Sequence, residues 1–485
     1  MPDDLTDGMD AAKVDASVTD AAAVLTSVAD LAKRLIFEEP RFTRGVLSRS
    51  ELAARLPGQA PPDGFGVEKF LDFLRADYCP NLRNYRHPLH FGHQRPAPCF
   101  ASLLADILNG ATNSTVSVFE AGPISVAIER HSEAWLKSIF GVGPTAAMTF
   151  TNGGTESALT ALLCARERWF ARTKTRDLSG AFVIKGEHAH YCIERAAKTI
   201  GIPPSNILTV ATDTEQRICI QSLRKAILDV NRAQSTVLSV VGSSGCTATG
   251  SFDDLVQLRQ ASDDAEAWLH IDASHGGAAR LTETHKHLVD GLCSADSFQF
   301  NPHKMMWLSP PCACLMVKDQ QDLHHALSND VERATYIVSP RHIAGAEIEK
   351  LELTFACTRQ FSALKVFAAL YIYGTKGIAR RVDQAVTTAR DLGKIIKSDS
   401  RFELLAEPEF NIVCFRPALR AADCDGVRQL RTDLAGQREA YLTGAEVQGQ
   451  YWLRAQCTSE NTRPEHLHQL LNLVDRKYAA ISGQN

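Results

Sequence analysis

The stretch AWLHIDASHGGAARLTETHKHLVDGLCSADSFQFNPHK, Ala267 to Lys304, holds two apolar runs of strand length, and each ends in groups able to do chemistry. The first closes in Asp272, followed by the small residues Ala273 and Ser274 and a glycine pair. The second closes in Asn301, His303 and Lys304. Ligands of an open α/β sheet bind beyond the carboxyl ends of its strands, so a carboxylate and an amine at successive strand ends are placed to converge on one ligand. Taken alone, Asp272 reads equally well as a helix cap and Lys304 as a solubilising charge.

Runs of the same kind surround this stretch. AFVIKGEHAH (Ala181–His190), STVLSVVGSSG (Ser235–Gly245) and CACLMVKD (Cys312–Asp319) read as strands, with helical patterns such as CIERAAKTIG and DDLVQLRQASDD between them. The alternation predicts an α/β fold with a mostly parallel central sheet and helices on both faces. Upstream, AAAVLTSVADLAKRLIFEE has helical spacing, PGQAPPDGFG is a connector, and VEKFLDFLRADY is a further helix. Downstream, IARRVDQAVTTARDLGKIIKSD leads into FELLAEPEFNIVCFRP and EVQGQYWLRAQCT, read as strands, and a closing helix PEHLHQLLNLVDRKYAAI. The expected division is an N-terminal helical segment (1–85), a large domain (86–375) and a small C-terminal α/β domain (376–485).

The 52 basic and 56 acidic residues give a formal charge of -4, which leaves no electrostatic case for nucleic acid or an acidic membrane surface. No apolar run is long enough to span a bilayer. The acidic start MPDDLTDGMD lacks the basic and apolar regions of a secretory signal, and thirteen cysteines without repeating spacing read as reduced thiols; the expectation is a cytoplasmic protein. Cys312 and Cys314 read as packing in an apolar strand. His87, His90 and His93 lie in RHPLHFGHQRP, where Pro88 and Pro96 disfavour a helix carrying all three on one face, so no metal is expected.

FTNGGTESALTALLCARER sets Gly153, Gly154 and Thr155 at the start of an amphipathic helix. Glycines there admit close approach of an anion, and free N–H groups with the Thr hydroxyl would hold a phosphate; the alternative is a plain helix start capped by Thr155. A phosphate turn, a carboxylate and an amine together suit pyridoxal 5'-phosphate, with the lysine bonded to its aldehyde, the carboxylate keeping the ring nitrogen protonated, and His190 from GEHAHY over the ring face.

These motifs resemble those of the group II pyridoxal-phosphate-dependent amino-acid decarboxylases, a fold-type-I family. TNGGTES is similar to the family's S-G-G-[ST]-E turn, HIDA to its H-[VI]-D-A strand end, and NPHK to its N-x-H-K motif, across roughly residues 80 to 480. The resemblance implies that Lys304 is the Schiff-base lysine, that His190 stacks on the cofactor, that Ala273 and the Cys246 turn line its site, and that Asn301 and His303 help bind the phosphate. His303 would also assist substrate binding or proton transfer. ERATYIVSP resembles the mobile catalytic loop, making Tyr336 the proton donor, or else a packed loop aromatic. YWLRAQCTSENT resembles the region whose arginine holds the substrate carboxylate, here Arg454, unless that residue forms a surface ion pair. The H-P-x-[FY] loop implies side-chain recognition by His93 and Gln94. Its form is most similar to diaminobutyrate- or aspartate-type members, which implies a short aliphatic substrate such as L-2,4-diaminobutyrate. A homodimer with shared active sites is also implied.

Three departures concern the substrate pocket: Met305 stands for the usual Trp, Cys246 for a hydroxyl residue, and His275 for an aromatic. Aminotransferase or carbon–carbon lyase chemistry remains the alternative on the same motifs, as does a non-catalytic protein that keeps the fold.

Overall fold

The computed structural model describes residues 18–37, 47–62, 64–327, 349–418, 423–437 and 439–483. Its strands, in chain order, are β1 (His90–Phe91), β2 (Ala147–Thr151), β3 (Ala181–Gly186), β4 (Ile207–Val210), β5 (Thr236–Ser243), β6 (Trp268–Asp272), β7 (Ser297–Phe300), β8 (Ala313–Val317), β9 (Phe402–Leu404), β10 (Ile412–Pro417), β11 (Tyr441–Val447) and β12 (Gln450–Gln456). Seven of them form the central sheet in the order β2-β8-β7-β6-β5-β3-β4. Only β8 runs against its neighbours, so the sheet is mostly parallel, as expected.

Strand pleating distributes the apolar side chains to two faces. Ile184, Leu269, Ile271, Cys314 and Met316 face a core shared with the helices Pro123–Phe140, Leu255–Asp264 and Ala363–Ser398. Their neighbours Val183, Trp268, Leu315 and Val317 face the helices Gly154–Thr173 and Tyr191–Thr199. Burial on both faces explains why these strands read as continuous apolar runs and not as alternating ones. Cys312 and Cys314 are packed in that core.

A second sheet, in the order β1-β11-β12-β10-β9, packs against the helices Cys424–Gly436 and Pro464–Ser482. The stretch EVQGQYWLRAQCT, read from sequence as one strand, is a hairpin: Val447 pairs with Gln450, and Gln448 and Gly449 between them have φ of 52° and 70°. Two consecutive left-handed residues make the tight turn that matches strand twist. β1 lies in the segment 86–375 yet pairs with β11, through His90–Tyr441 and Phe91–Leu442, so this loop is stitched into the C-terminal sheet. The long helix Ala363–Ser398 breaks at Gly374 (φ 62°, ψ 174°), and its C-terminal portion packs on β9 and β10.

Candidate active site

Parallel pairing brings the carboxyl ends of β5, β6 and β7 side by side, with Ser243 opposite Asp272 and Asp272 opposite Gln299. A narrow cleft lies there, lined by His190, Ser243, Gly245, Cys246, Thr247, Asp272, Ser274, His275 and Lys304.

Asp272 accepts the Ser274 backbone N–H at 3.1 Å and the Gln299 amide at 2.9 Å. Gln299 also donates to Ser274 Oγ at 2.8 Å. Burial pushes the Asp272 carboxyl up, but the Lys304 amine and these hydrogen bonds outweigh it and hold the group below its ordinary value. Asp272 is therefore a fixed anion and caps no helix.

Lys304 sits on the short turn Pro302–Met305 that follows β7. Its Nζ donates to Gln94 Oε1 at 3.1 Å, and Thr247 Oγ1 donates to the same oxygen at 3.3 Å. Burial lowers the proton affinity of the amine, opposed by the Asp272 charge. A lysine that loses its proton more readily than usual is the form that can act as a nucleophile.

His190 caps the helix Tyr191–Thr199, its Nδ1 accepting the Cys192 N–H at 3.3 Å, and burial lowers its proton affinity. His275 is fully buried in the cleft wall and is pushed down to about 3, chiefly by burial and next by Lys304. Its Nε2 lies 2.6 Å from Asn411 Oδ1, and Asn411 donates in turn to Met305 Sδ and to the Cys457 carbonyl. This chain of bonds ties the cleft wall, beside the lysine, to the second sheet.

The phosphate turn is built around Gly154. A Cβ there would come within 3.0 Å of Asn301 Nδ2, 3.2 Å of Gln299 Nε2 and 3.2 Å of Ser274 Oγ, so the missing side chain leaves a cradle edged by polar groups. Gly153 adopts φ 155° and ψ 166°, a region open essentially to glycine alone, and no side chain caps the helix Gly154–Thr173. The cap position is Gly153 and not Thr155, which lies in the first turn. Asn301 Oδ1, Gln299 Oε1, Ser244 Oγ and Gln94 Nε2 are buried with no hydrogen-bond partner among the described residues. Polar atoms left open around an uncapped helix start, an amine and a fixed carboxylate fit pyridoxal 5'-phosphate.

Ala273 and Cys246 land differently from expectation. Ala273 belongs to the apolar core, against Gly277, and Ser274 takes the place in the cleft wall. Cys246 lines the cleft, but its thiol donates to the His188 carbonyl; Thr247 is the member of that turn whose hydroxyl reaches Gln94. His303 Nδ1 lies 2.6 Å from the Cys312 carbonyl, and burial and Lys304 push the ring down to about 4. Arg454 is buried on β12, where its guanidinium bonds Thr443 Oγ1 at 3.0 Å and, among the described residues, makes no ion pair. His93 is exposed, with its ring 5.8 Å from Tyr441. Tyr336 lies outside the described residues. Sequence reading missed Gln299, Ser274 and Thr247; a polar residue inside the apolar run SFQF was the available signal for the first. Among the described residues no group of His, Cys, Asp or Glu is arranged to hold a metal, and no helix is long and apolar enough to cross a membrane.

Residues 52–418 match the pyridoxal-dependent decarboxylase conserved domain. A glutamate decarboxylase-like protein of Gibberella zeae is 30% identical over 392 residues, covering 74% of this chain and 75% of that protein. An L-2,4-diaminobutyrate decarboxylase of Acinetobacter baumannii is 24% identical over 438 residues, covering 87% and 84%. The crystal structure of Oryza sativa TDC with PLP and tryptamine superposes with a TM-score of 0.89 at 20% identity, covering 96% of this chain and 99% of that one, a likeness of fold.

Proposed function

Because this chain belongs to the pyridoxal-dependent decarboxylase family, its cofactor is pyridoxal 5'-phosphate and its reaction is the loss of carbon dioxide from an amino acid, and we propose the following division of labour among its residues. Lys304 holds the cofactor through its amine, and Asp272 pairs with the ring nitrogen. His190 covers the ring face. Gly153, Gly154, Thr155, Asn301 and His303 receive the phosphate. When bound, the cofactor supplies an electron sink for the pair released as the carboxylate leaves. Arg454 takes the substrate α-carboxylate, and Gln94 and Thr247 orient the amine end. Tyr336 returns a proton to the α-carbon. The observation that carries this reading is that the Lys304–Gln94–Thr247 group and the Asp272–Gln299–Ser274 group both line one cleft.

We propose further that the chain works as a homodimer. Phe100, Leu104, Ile107 and Leu108 make an exposed apolar stripe on the helix Phe100–Thr112, and Leu25, Val28 and Leu35 another on the helix Val18–Phe37. Stripes of this kind mark surfaces that a second subunit covers. The thirteen cysteines suit a reducing compartment, and we place the protein in the cytoplasm.

The test is carbon dioxide release from a panel of L-amino acids by protein loaded with pyridoxal phosphate, together with its visible absorption. Both are expected to vanish in Lys304→Ala. Turnover retained by that variant would refute the assignment, and net amino transfer to a keto acid without carbon dioxide would favour the aminotransferase alternative.

A further inference from the structure

We propose that the pocket selects an amino acid whose side chain is itself an anion, held by a basic rim of Arg83 and Arg431, flanked by His93, beside the buried Arg454. The inference deepens the decarboxylase reading and rests on it.

The rim is assembled around Tyr441 at the start of β11. The Arg83 guanidinium lies 3.7 Å from the centre of that ring and the Arg431 guanidinium 6.0 Å from it, with Arg431 Nε donating to the Leu442 carbonyl. The rings of His90 and His93 stand 5.2 and 5.8 Å from Tyr441. Gly92 allows this approach, because a Cβ there would overlap the Tyr441 ring. Thr443, two residues along β11 and so on the same face, bonds Arg454 from the opposite strand. The rim and the cleft meet at Arg454, whose charge acts on both His93 and Lys304, and His93 is followed in the chain by Gln94, whose Oε1 holds the Lys304 amine.

Among the described residues, none of Arg83, Arg95, Arg431 and Arg454 has a carboxylate at ion-pair distance. Arg454 Nε and Nη2 are buried with no hydrogen-bond partner among the described residues. A buried guanidinium with a single neutral acceptor is costly unless a ligand brings the balancing charge. His93 registers the same field: after burial, the groups that lower its proton affinity are Arg454, Arg431, Arg83 and Arg95.

One arginine suffices for the α-carboxylate that every amino-acid substrate carries. The remaining positive charge has no use for a neutral side chain and repels an ammonium, so the substrate class is acidic and excludes 2,4-diaminobutyrate.

The experiment has two arms on the protein loaded with pyridoxal phosphate. In the first, aspartate and glutamate are compared with 2,4-diaminobutyrate, lysine and tyrosine. An acidic substrate is expected to lead by about tenfold or more in kcat/KM, and Arg431→Met is expected to raise its KM about tenfold with kcat nearly kept. In the second, melting is followed with succinate, glutarate and 1,3-diaminopropane, and only the dicarboxylates are expected to raise the midpoint. Preference for a basic or aromatic amino acid, or no response to dicarboxylates, overturns the anion subsite. If no amino acid on the panel releases carbon dioxide, the decarboxylase reading fails, while the melting arm still decides the subsite.

Discussion

Replacing Gln299 by Leu isolates what holds the Asp272 charge in place. The variant keeps the volume of the side chain but deletes the 2.9 Å donor to Asp272 Oδ1 and the 2.8 Å donor to Ser274 Oγ. A hydrogen bond to a charged group is worth about 1.5–3 kcal/mol. At about 1.4 kcal/mol per pH unit, its loss raises the Asp272 pKa by about one to two units. In the native protein this carboxyl is held below its ordinary value, by Lys304 first and then by its hydrogen bonds, against burial. What the ionised group contributes is thus complete at neutral pH and fades only as pH falls through that lowered value. In the variant the fade begins at higher pH. The assay is the affinity for pyridoxal phosphate, followed by absorbance from about pH 2.5 to pH 8. The acid limb is expected to move upward by about one to two units with affinity near neutral pH largely retained. An acid limb at the same pH in both proteins would show that Gln299 does not set the charge on Asp272, and the reasoning would be wrong.

Two other perturbations test how the site is held. Arg359 and Glu129 are 1% and 0% exposed and pair through two bonds, one of 2.7 Å, beside the Lys350–Glu133 pair, where Glu133 is pushed up to about 7 by burial. Arg359→Met strands a buried carboxylate and should cost about 3–5 kcal/mol in urea unfolding, most of it recovered when Glu129→Met is added; a loss under about 1 kcal/mol would contradict this. Asn411→Leu leaves the buried His275 ring nitrogen and the Cys457 carbonyl without their partner. The expected loss is about 1–3 kcal/mol, with a raised KM because the Arg454 sheet is no longer tied to the cleft wall; unchanged unfolding and KM would remove the bridge from the account.

Much of the central sheet was legible because strands buried on both faces leave an apolar signature that needs no partner to be recognised. The runs at β3, β5, β6, β7 and β8 show it plainly. β1 has two residues and no periodicity to read, and it is a strand only because Tyr441 and Leu442 lie beside it. The β11–β12 hairpin was hidden because Gln448 adopts a left-handed conformation that its side chain does not announce. Ala273, expected at the cofactor, turns into the core and Ser274 lines the cleft because the chain turns back after β6, where the Ser274 N–H bonds the Asp272 carboxylate. Which of two adjacent small residues then faces the cleft is set by that turn.

The sequence by itself determined the chemistry at hand: an amine, a carboxylate, an imidazole and a glycine-rich helix start, in the order and at the strand ends that suit one cofactor. Residue type and strand-end position are local properties, carried by a few neighbouring letters. Only the tertiary structure decided which groups meet. Gln94 reaches Lys304 from 210 residues away, Gln299 holds Asp272 through strand register, and Arg454 comes beside the basic rim through a hairpin paired to an N-terminal loop. Contacts of that range depend on how strands pair and helices pack. The sign of the charge beside the cleft is such a contact property, and it is the ground on which an acidic substrate is proposed in place of the basic one that local likeness suggested.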